Sequence, residues 1–378
     1  MKKIAFFHPY FAFGGVEKTN IRLSKYFREH GYEVDFLSLS FTDHFKKEMD
    51  DMGIQRITLR ADRTIGAVSE LKKYMVSQQQ NAEQLYMISC QNFANIITAL
   101  SIPKNREKVK VIFSERLHPA EFCFNGKEKK GRVILFLMKL LYKKADAVVA
   151  NSKETAREIE RITGVETRAI YNPTLTGNYE ELAKEPVEQE WFEQNIPIII
   201  STGRLAYEKG YDTLLRAFAK VKKEIDSRLV IIGEGEKRAE LEKLAKELHI
   251  DEKVWMPGYD ANPYRYVSKA DVFVLSSRFE GLPNTLIEAL AVGTPCVSTR
   301  CKSGPQEILL DGEGGLLVDV DNVEQMAKAI CETLLSREAA DGRLKKAHKM
   351  LYRFTPNEVG KQYENLLLDT LHGKCRDH

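Results

Sequence analysis

A chain of 378 residues is about twice the usual domain size, so two domains are expected. Hydrophobic residues make up 43% and charged residues 29%, ordinary for a soluble globular protein that can bury a core in each half without disulfides or a structural metal. The formal charge of +3 does not point to nucleic acid as a partner. The cysteines Cys90, Cys123, Cys296, Cys301, Cys331 and Cys375 form no Cys-x-x-Cys pair, which argues against a zinc or redox motif and for a reduced, cytosolic setting.

The N-terminus, with two lysines before Ile4-Ala5-Phe6-Phe7, has the look of a signal peptide. His8 and Pro9 interrupt the apolar run, however, and Gly14-Gly15 stand where a first strand-to-helix turn would put them. It reads as a first strand, and no apolar stretch approaches the ~20 residues needed to span a bilayer. Strands are then expected at 4–7, 34–39, 85–89, 111–113 and 147–150, with a helix over 16–30 stopped by Gly31 and a helix N-cap at Asn151-Ser152. In the stretch 127–144, Lys127, Lys129, Lys130 and Arg132 precede the apolar run 133–138, and Lys139, Lys143 and Lys144 follow. Such a basic amphipathic helix is either a core helix with a solvated rim or one that lies on an anionic membrane surface.

Residues 173–195 hold Pro173, Gly177 and Pro186 among many glutamates, a linker composition. A second series follows, with strands at 198–202, 229–232, 254–256, 272–275, 296–298 and 316–318, long helices at 211–224 and 237–248, and a helical tail over 357–372. The expectation is α/β: two Rossmann-like domains, 1–172 and 196–355, joined by the linker, with 356–378 as a C-terminal helix packing back on the first domain. Ligands of such sheets sit beyond the carboxyl ends of the strands, so two domains with facing strand ends would enclose a central cleft.

Three segments after strands carry candidate chemistry. In Phe13-Gly14-Gly15-Val16-Glu17-Lys18 the paired glycines can bring backbone N–H groups to an anion at a helix N-terminus, or form only a tight turn. The pattern is no dinucleotide fingerprint, and Leu37-Ser38-Leu39-Ser40 offers no carboxylate for an NAD ribose. After residue 202, Gly203-Arg204 and then Lys209-Gly210 place two cations where a diphosphate could be neutralised. After residue 275, Ser276-Ser277-Arg278-Phe279-Glu280-Gly281-Leu282-Pro283-Asn284-Thr285 feeds a helix whose free N–H groups favour a phosphate. Glu288 lies one turn beyond Asn284 on the same side, and Glu280 precedes the helix. Asp319-Val320-Asp321 imitates a metal-binding pair but reads as a loop motif.

Glu280 and Glu288 enclose seven residues, the E-x7-E pattern of retaining glycosyltransferases with the GT-B fold. With Gly14-Gly15, Arg204, Lys209 and the Pro257-Gly258-Tyr259 loop, nearly the whole chain resembles family 4 of those enzymes. The resemblance implies a nucleotide-sugar donor, UDP before GDP, and a saccharide or lipid-linked acceptor in surface polysaccharide or glycolipid assembly. It implies no metal and no cofactor. Arg204 and Lys209 would bind the diphosphate, with Gly203 permitting the turn. Glu280 would hold sugar hydroxyls, Glu288 the ribose, the backbone of Leu282, Asn284 and Thr285 phosphate or sugar, and Gly258-Tyr259 the base. Where many relatives have a cleft-lining histidine, this chain has Ser114-Glu115-Arg116-Leu117-His118-Pro119, so Arg116 and His118 both stand as candidates. A UDP-sugar 2-epimerase of the same fold and a non-catalytic binding subunit are the rival readings.

Overall fold

The computed structural model describes residues 1–12, 14–61, 63–119 and 128–372. Phe13, Lys127, Cys123 and Cys375 lie outside the described residues, and the remaining four cysteines are buried thiols.

The first sheet is parallel and seven-stranded, in the order β3-β2-β1-β4-β5-β6-β7. Its strands are β1 (Lys2–Phe7), β2 (Glu33–Ser38), β3 (Gln55–Thr58), β4 (Gln84–Cys90), β5 (Val109–Glu115), β6 (Ala147–Ala150) and β7 (Thr167–Ala169). In β1, Phe6 stands opposite Phe36 of β2 and Ile88 of β4. Helices cover both faces, so the central strands read as continuous apolar runs; every residue of β4 is buried. The edge strands β3 and β7 were not expected. Each pairs on one side only and shows mixed burial, so Gln55-Arg56-Ile57-Thr58 carries no apolar run to betray it. The helix Gly15–Glu29 ends before Gly31, whose φ of +82° stops it, and Ser152 caps the helix Lys153–Thr163 by accepting from Thr155 N at 3.1 Å.

The second sheet is parallel and six-stranded, β10-β9-β8-β11-β12-β13. Its strands are β8 (Ile198–Thr202), β9 (Arg228–Ile232), β10 (Val254–Gly258), β11 (Val272–Leu275), β12 (Cys296–Thr299) and β13 (Leu316–Val318). This is the 3-2-1-4-5-6 order of a doubly wound nucleotide-binding fold, whose switch point lies between its first and fourth strands, here β8 and β11.

The chain forms two compact units, Met1–Thr174 together with the chain from Phe354 onward, and Leu175–Arg353. Most of the stretch with linker composition thus belongs to the second unit. There Tyr179–Ala183 is a short helix whose Leu182 and Ala183 carbonyls accept from Asn262 Nδ2 (2.9 Å) and Ser268 Oγ (3.1 Å). The helix Pro356–Leu371 returns to the first unit and lies against Gly15–Glu29. Gly360 permits this, because a Cβ there would come within 2.4 Å of the Tyr26 ring.

Candidate functional site

Two segments meet at the switch point of the second sheet. β8 runs into the 3-10 turn Tyr207–Lys209, and β11 runs into the loop before the helix Asn284–Ala291. Gly210 lets them touch: its φ is +61°, and a Cβ would sit 2.2 Å from the carbonyl oxygen of Ser276. Ser276 Oγ closes the contact by donating to Lys209 O at 2.8 Å.

The result is a cation–carboxylate pair. Lys209 Nζ lies 2.7 Å from Glu280 Oε1, which also accepts from Ser277 Oγ at 2.7 Å. Burial disfavours the charge on Lys209, but Glu280 outweighs it and holds the ammonium above the usual lysine range. Tyr211 packs beside the pair, its phenol pushed by burial up to about 12. Arg204 is exposed and paired with Glu208 one helical turn on, so the two expected cations have different surroundings.

In the helix Asn284–Ala291, Leu286, Ile287, Ala289 and Leu290 are buried, while Asn284, Thr285 and Glu288 share the more open side. Leu282 is buried just ahead of them. At the end of β10, Gly258 takes φ +97° and its carbonyl accepts from Gly233 N at 2.8 Å, and Tyr259 beyond it is exposed. Asp319 and Asp321 are both engaged: Asp319 Oδ2 accepts from Gln325 Nε2 at 2.9 Å, and Asp321 Oδ1 from Thr213 Oγ1 at 2.9 Å. Among the described residues no cluster of His, Cys, Asp or Glu could hold a metal ion.

At the carboxyl edge of the first sheet, Gly14 caps the helix Gly15–Glu29. The Glu17 carboxylate folds onto that terminus, accepting from the backbone of Glu17 and Ala12, and its pKa is raised by burial. Arg116 is 4% exposed; NH1 donates to Asn172 Oδ1 at 2.7 Å and NH2 to Tyr363 OH at 3.0 Å. His118 is also buried.

Three features here had no sequence signal. Gln91, directly after β4 at the switch point, has φ +74°, a conformation L-residues seldom adopt and one that recurs at functional sites. Glu115 is fully buried, bonded through Oε1 to Tyr142 OH and to Asn95 Nδ2 (2.7 Å), with Oε2 unpartnered. Burial raises its carboxyl to about 7. His8, buried at the end of β1 against Asn20 Nδ2 (2.7 Å), is lowered to about 3 by burial and by Arg116.

Two Rossmann-like parallel sheets in one chain are the architecture of the GT-B fold. The family model described as "Glycosyltransferase Family 4" matches residues 13–174, and that described as "Glycosyl transferases group 1" matches 183–350. The lipopolysaccharide core biosynthesis glycosyltransferase LpsE of Rhizobium meliloti is 30% identical over 267 residues, 69% of this chain and 76% of that protein. The chain belongs to the glycosyltransferases of the family 4 type.

The Campylobacter jejuni enzyme N-acetylgalactosamine-N,N'-diacetylbacillosaminyl-diphospho-undecaprenol 4-alpha-N-acetylgalactosaminyltransferase is 39% identical over 217 residues. That alignment spans 57% of this chain and 56% of the relative, little more than half of its length. Among solved structures, Anabaena HepE in complex with UDP and glucose superposes with a TM-score of 0.78 at 18% identity, covering 97% of this chain and 99% of the other.

Proposed function

We propose that this chain transfers a hexose or N-acetylhexosamine from a UDP-sugar to a saccharide or lipid-linked acceptor in surface polysaccharide or glycolipid assembly, with retention at the anomeric carbon. The observation that carries the reading is the Lys209–Glu280 pair, 2.7 Å apart at the switch point of the second sheet and ahead of a helix N-terminus. Breaking a glycosyl–phosphate bond develops negative charge on the departing diphosphate. Lys209, Arg204 and the N–H groups at the start of the helix Asn284–Ala291 supply fixed positive charge for it without a metal ion.

Glu280 accepts from sugar hydroxyls in exchange for part of its bond to Lys209, and Glu288 takes the ribose hydroxyls. The backbone of Leu282, Asn284 and Thr285 borders phosphate or sugar, with Gly203 opening the turn and Gly258-Tyr259 against the base. Gly14-Gly15, at the first switch point, belong to the donor-binding set, and the strained Gln91 stands at the same switch point. Arg116 and His118, just beyond the end of β5, are the candidates to line the reacting carbon. UDP and an N-acetylhexosamine are favoured by what the HepE structure contains and by what the C. jejuni enzyme's name states. That name also favours a diphospholipid-linked acceptor.

A membrane contact fits the helix Glu128–Leu141. Val133 (58%), Phe136 (61%) and Leu140 (44%) are exposed beside Arg132 and Lys139, whereas Ile134 and Met138 are buried in the core. A solvated rim would be polar, but this one is apolar with a basic fringe. No helix among the described residues is long and apolar enough to cross a membrane.

Thermal stabilisation by a panel of UDP, GDP, ADP and their sugars tests the donor reading. Selective stabilisation by UDP and UDP-N-acetylhexosamines, unaffected by EDTA, is expected. A preference for GDP-sugars would move the donor, and no response to any nucleotide would overturn the transferase reading.

A further inference from the structure

Arg278 stands two residues before Glu280, and the roles proposed above give it no part. It is 11% exposed, yet its guanidinium is bonded on every edge. NH1 donates to Tyr207 O at 2.7 Å, NH2 to Asp212 Oδ2 at 2.7 Å, and Nε lies 2.9 Å from Asp321 Oδ1. The guanidinium also lies over the Tyr207 ring, 4.4 Å from its centroid, and the Arg278 backbone N–H donates to Glu208 O at 2.8 Å. One side chain therefore ties three segments of the second unit: the turn that carries Lys209, the loop that carries Glu280, and the loop after β13. Glu208, bonded through its carbonyl to Arg278, holds Arg204 with its carboxylate.

We propose that Arg278 is a positioning residue for the donor-diphosphate cations: without touching the donor, it fixes the Tyr207–Lys209 turn against the Glu280 loop so that Lys209 and Arg204 are already in place when charge develops. Resting on the proposed donor site, the inference adds a control on the geometry of that site. The chemistry explains why an arginine stands there. A planar guanidinium can bond two carboxylates and a carbonyl in fixed directions while stacking on a ring, whereas a lysine ammonium on a flexible stem cannot do both. Preorganisation matters most in the transition state, because donors already aimed at the leaving oxygen need no reorganisation as the bond breaks. A loosened turn should therefore slow turnover more than it weakens donor binding.

The chain should still fold without Arg278. Asp212 and Asp321 are 46% and 49% exposed, and a cavity of about 330 Å³ lined in part by Tyr207, Asp212 and Arg278 admits water to the vacated place. No unpaired charge is stranded in the core.

The test compares wild type, Arg278→Ala and Arg278→Lys in the full chain. The readout is acceptor-free release of UDP from UDP-N-acetylglucosamine and UDP-N-acetylgalactosamine, alongside melting temperature and UDP affinity. Arg278→Ala should lower kcat ~10–100-fold, with KM and UDP affinity within about threefold and the cooperative melt retained. Arg278→Lys should recover only part of the loss. Wild-type kcat in Arg278→Ala overturns the clamp alone, as does a loss that tracks the unfolded fraction or is fully restored by lysine. A wild-type chain that neither binds UDP nor releases it from either sugar overturns the donor reading and the clamp with it.

Discussion

Lys209 and Glu280 satisfy each other's charge, so on the proposed roles each can be recruited without exposing a bare charge when a diphosphate and a sugar hydroxyl arrive. On the proposed roles, losing either would remove a group whose interaction with the reacting centre strengthens as charge develops. Lys209→Ala or Glu280→Ala should lower turnover at least ~100-fold, close to 3 kcal/mol at the transition state. Steady-state kinetics decide it, and wild-type turnover in either variant would remove the pair from the mechanism. Both residues were legible in the sequence because each follows a strand and Glu280 forms an E-x7-E spacing with Glu288, whereas their contact across 71 residues did not show there. Arg278 was not, since its partners Asp212 and Asp321 lie 66 and 43 residues away in sequence, and nothing in a glutamine reveals the positive φ of Gln91.

Glu115 and His8 give the first unit a pH signature of two opposed parts. The Glu115 carboxyl, raised from 4.5 to about 7, binds a proton in the folded state that the unfolded chain has released. Its contribution is complete below pH ~4.5 and is lost as pH rises through ~7, by at most ~1.4 kcal/mol per pH unit. His8, lowered from 6.5 to about 3, does the reverse: the unfolded chain takes up a proton that the folded state refuses, so stability falls as pH drops below ~6.5. Between pH ~4.5 and ~6.5 the two slopes oppose each other. Glu115→Gln removes only the first. Its stability relative to wild type should rise with pH from ~4.5 to ~7 and stay parallel outside that window, measured by melts across pH 4–8. A constant difference across the range would mean that the Glu115 carboxyl has the same pKa in the folded and the unfolded protein.

At the scale of elements, what the sequence displays is burial. The central strands, sealed on both faces, were legible to within two residues at their ends. The edge strands β10 and β13 keep the apolar runs Val254-Trp255-Met256 and Leu316-Leu317-Val318, but Gln55-Arg56-Ile57-Thr58 of β3 and Thr167-Arg168-Ala169 of β7 have none, so one ladder of backbone bonds holds them without a sequence signal. The helix Glu128–Leu141 carries both kinds of information at once, and sequence could not separate them: Ile134 and Met138 mark its core face, while Val133, Phe136 and Leu140 form a second apolar face that the fold leaves outside. If that face enters a lipid surface, Phe136→Asp with Leu140→Asp should weaken binding to vesicles containing anionic phospholipid at least ~10-fold, since each side chain transfers roughly 2 kcal/mol of apolar surface. Melting temperature should change little, because neither residue is in the core. Vesicle sedimentation reads the effect, and unchanged binding would return the helix to an ordinary solvated rim.

At the scale of the whole molecule, the chain passes between units twice, after Thr174 and after Arg353, and the two units differ in what they need to fold. The second is continuous. Its core of Ile199, Leu214, Phe218, Leu229, Val272, Val297 and Ile330 comes wholly from residues 175–353. The first is not: Val359, Tyr363, Leu366 and Leu367 of the last helix share a cluster with Ile4, Phe6, Phe27 and Phe36. Tyr363 OH also accepts from the buried Arg116 guanidinium, and Arg168 meets Asp369 at 2.6 Å. A fragment of residues 175–353 should therefore fold alone, melt cooperatively and keep the nucleotide selectivity of the full chain, because every residue assigned to the donor diphosphate lies within it. A chain ending at residue 353 should keep that transition and lose the one belonging to the first unit. The four side chains removed would each contribute on the order of 2 kcal/mol of buried surface, and Arg116 would be left with a buried N–H group unsatisfied. Supplying residues 354–372 as a separate peptide should restore the lost transition. Calorimetry on the three species decides it: two intact transitions in the shortened chain would show that the last helix decorates the first unit rather than completing it.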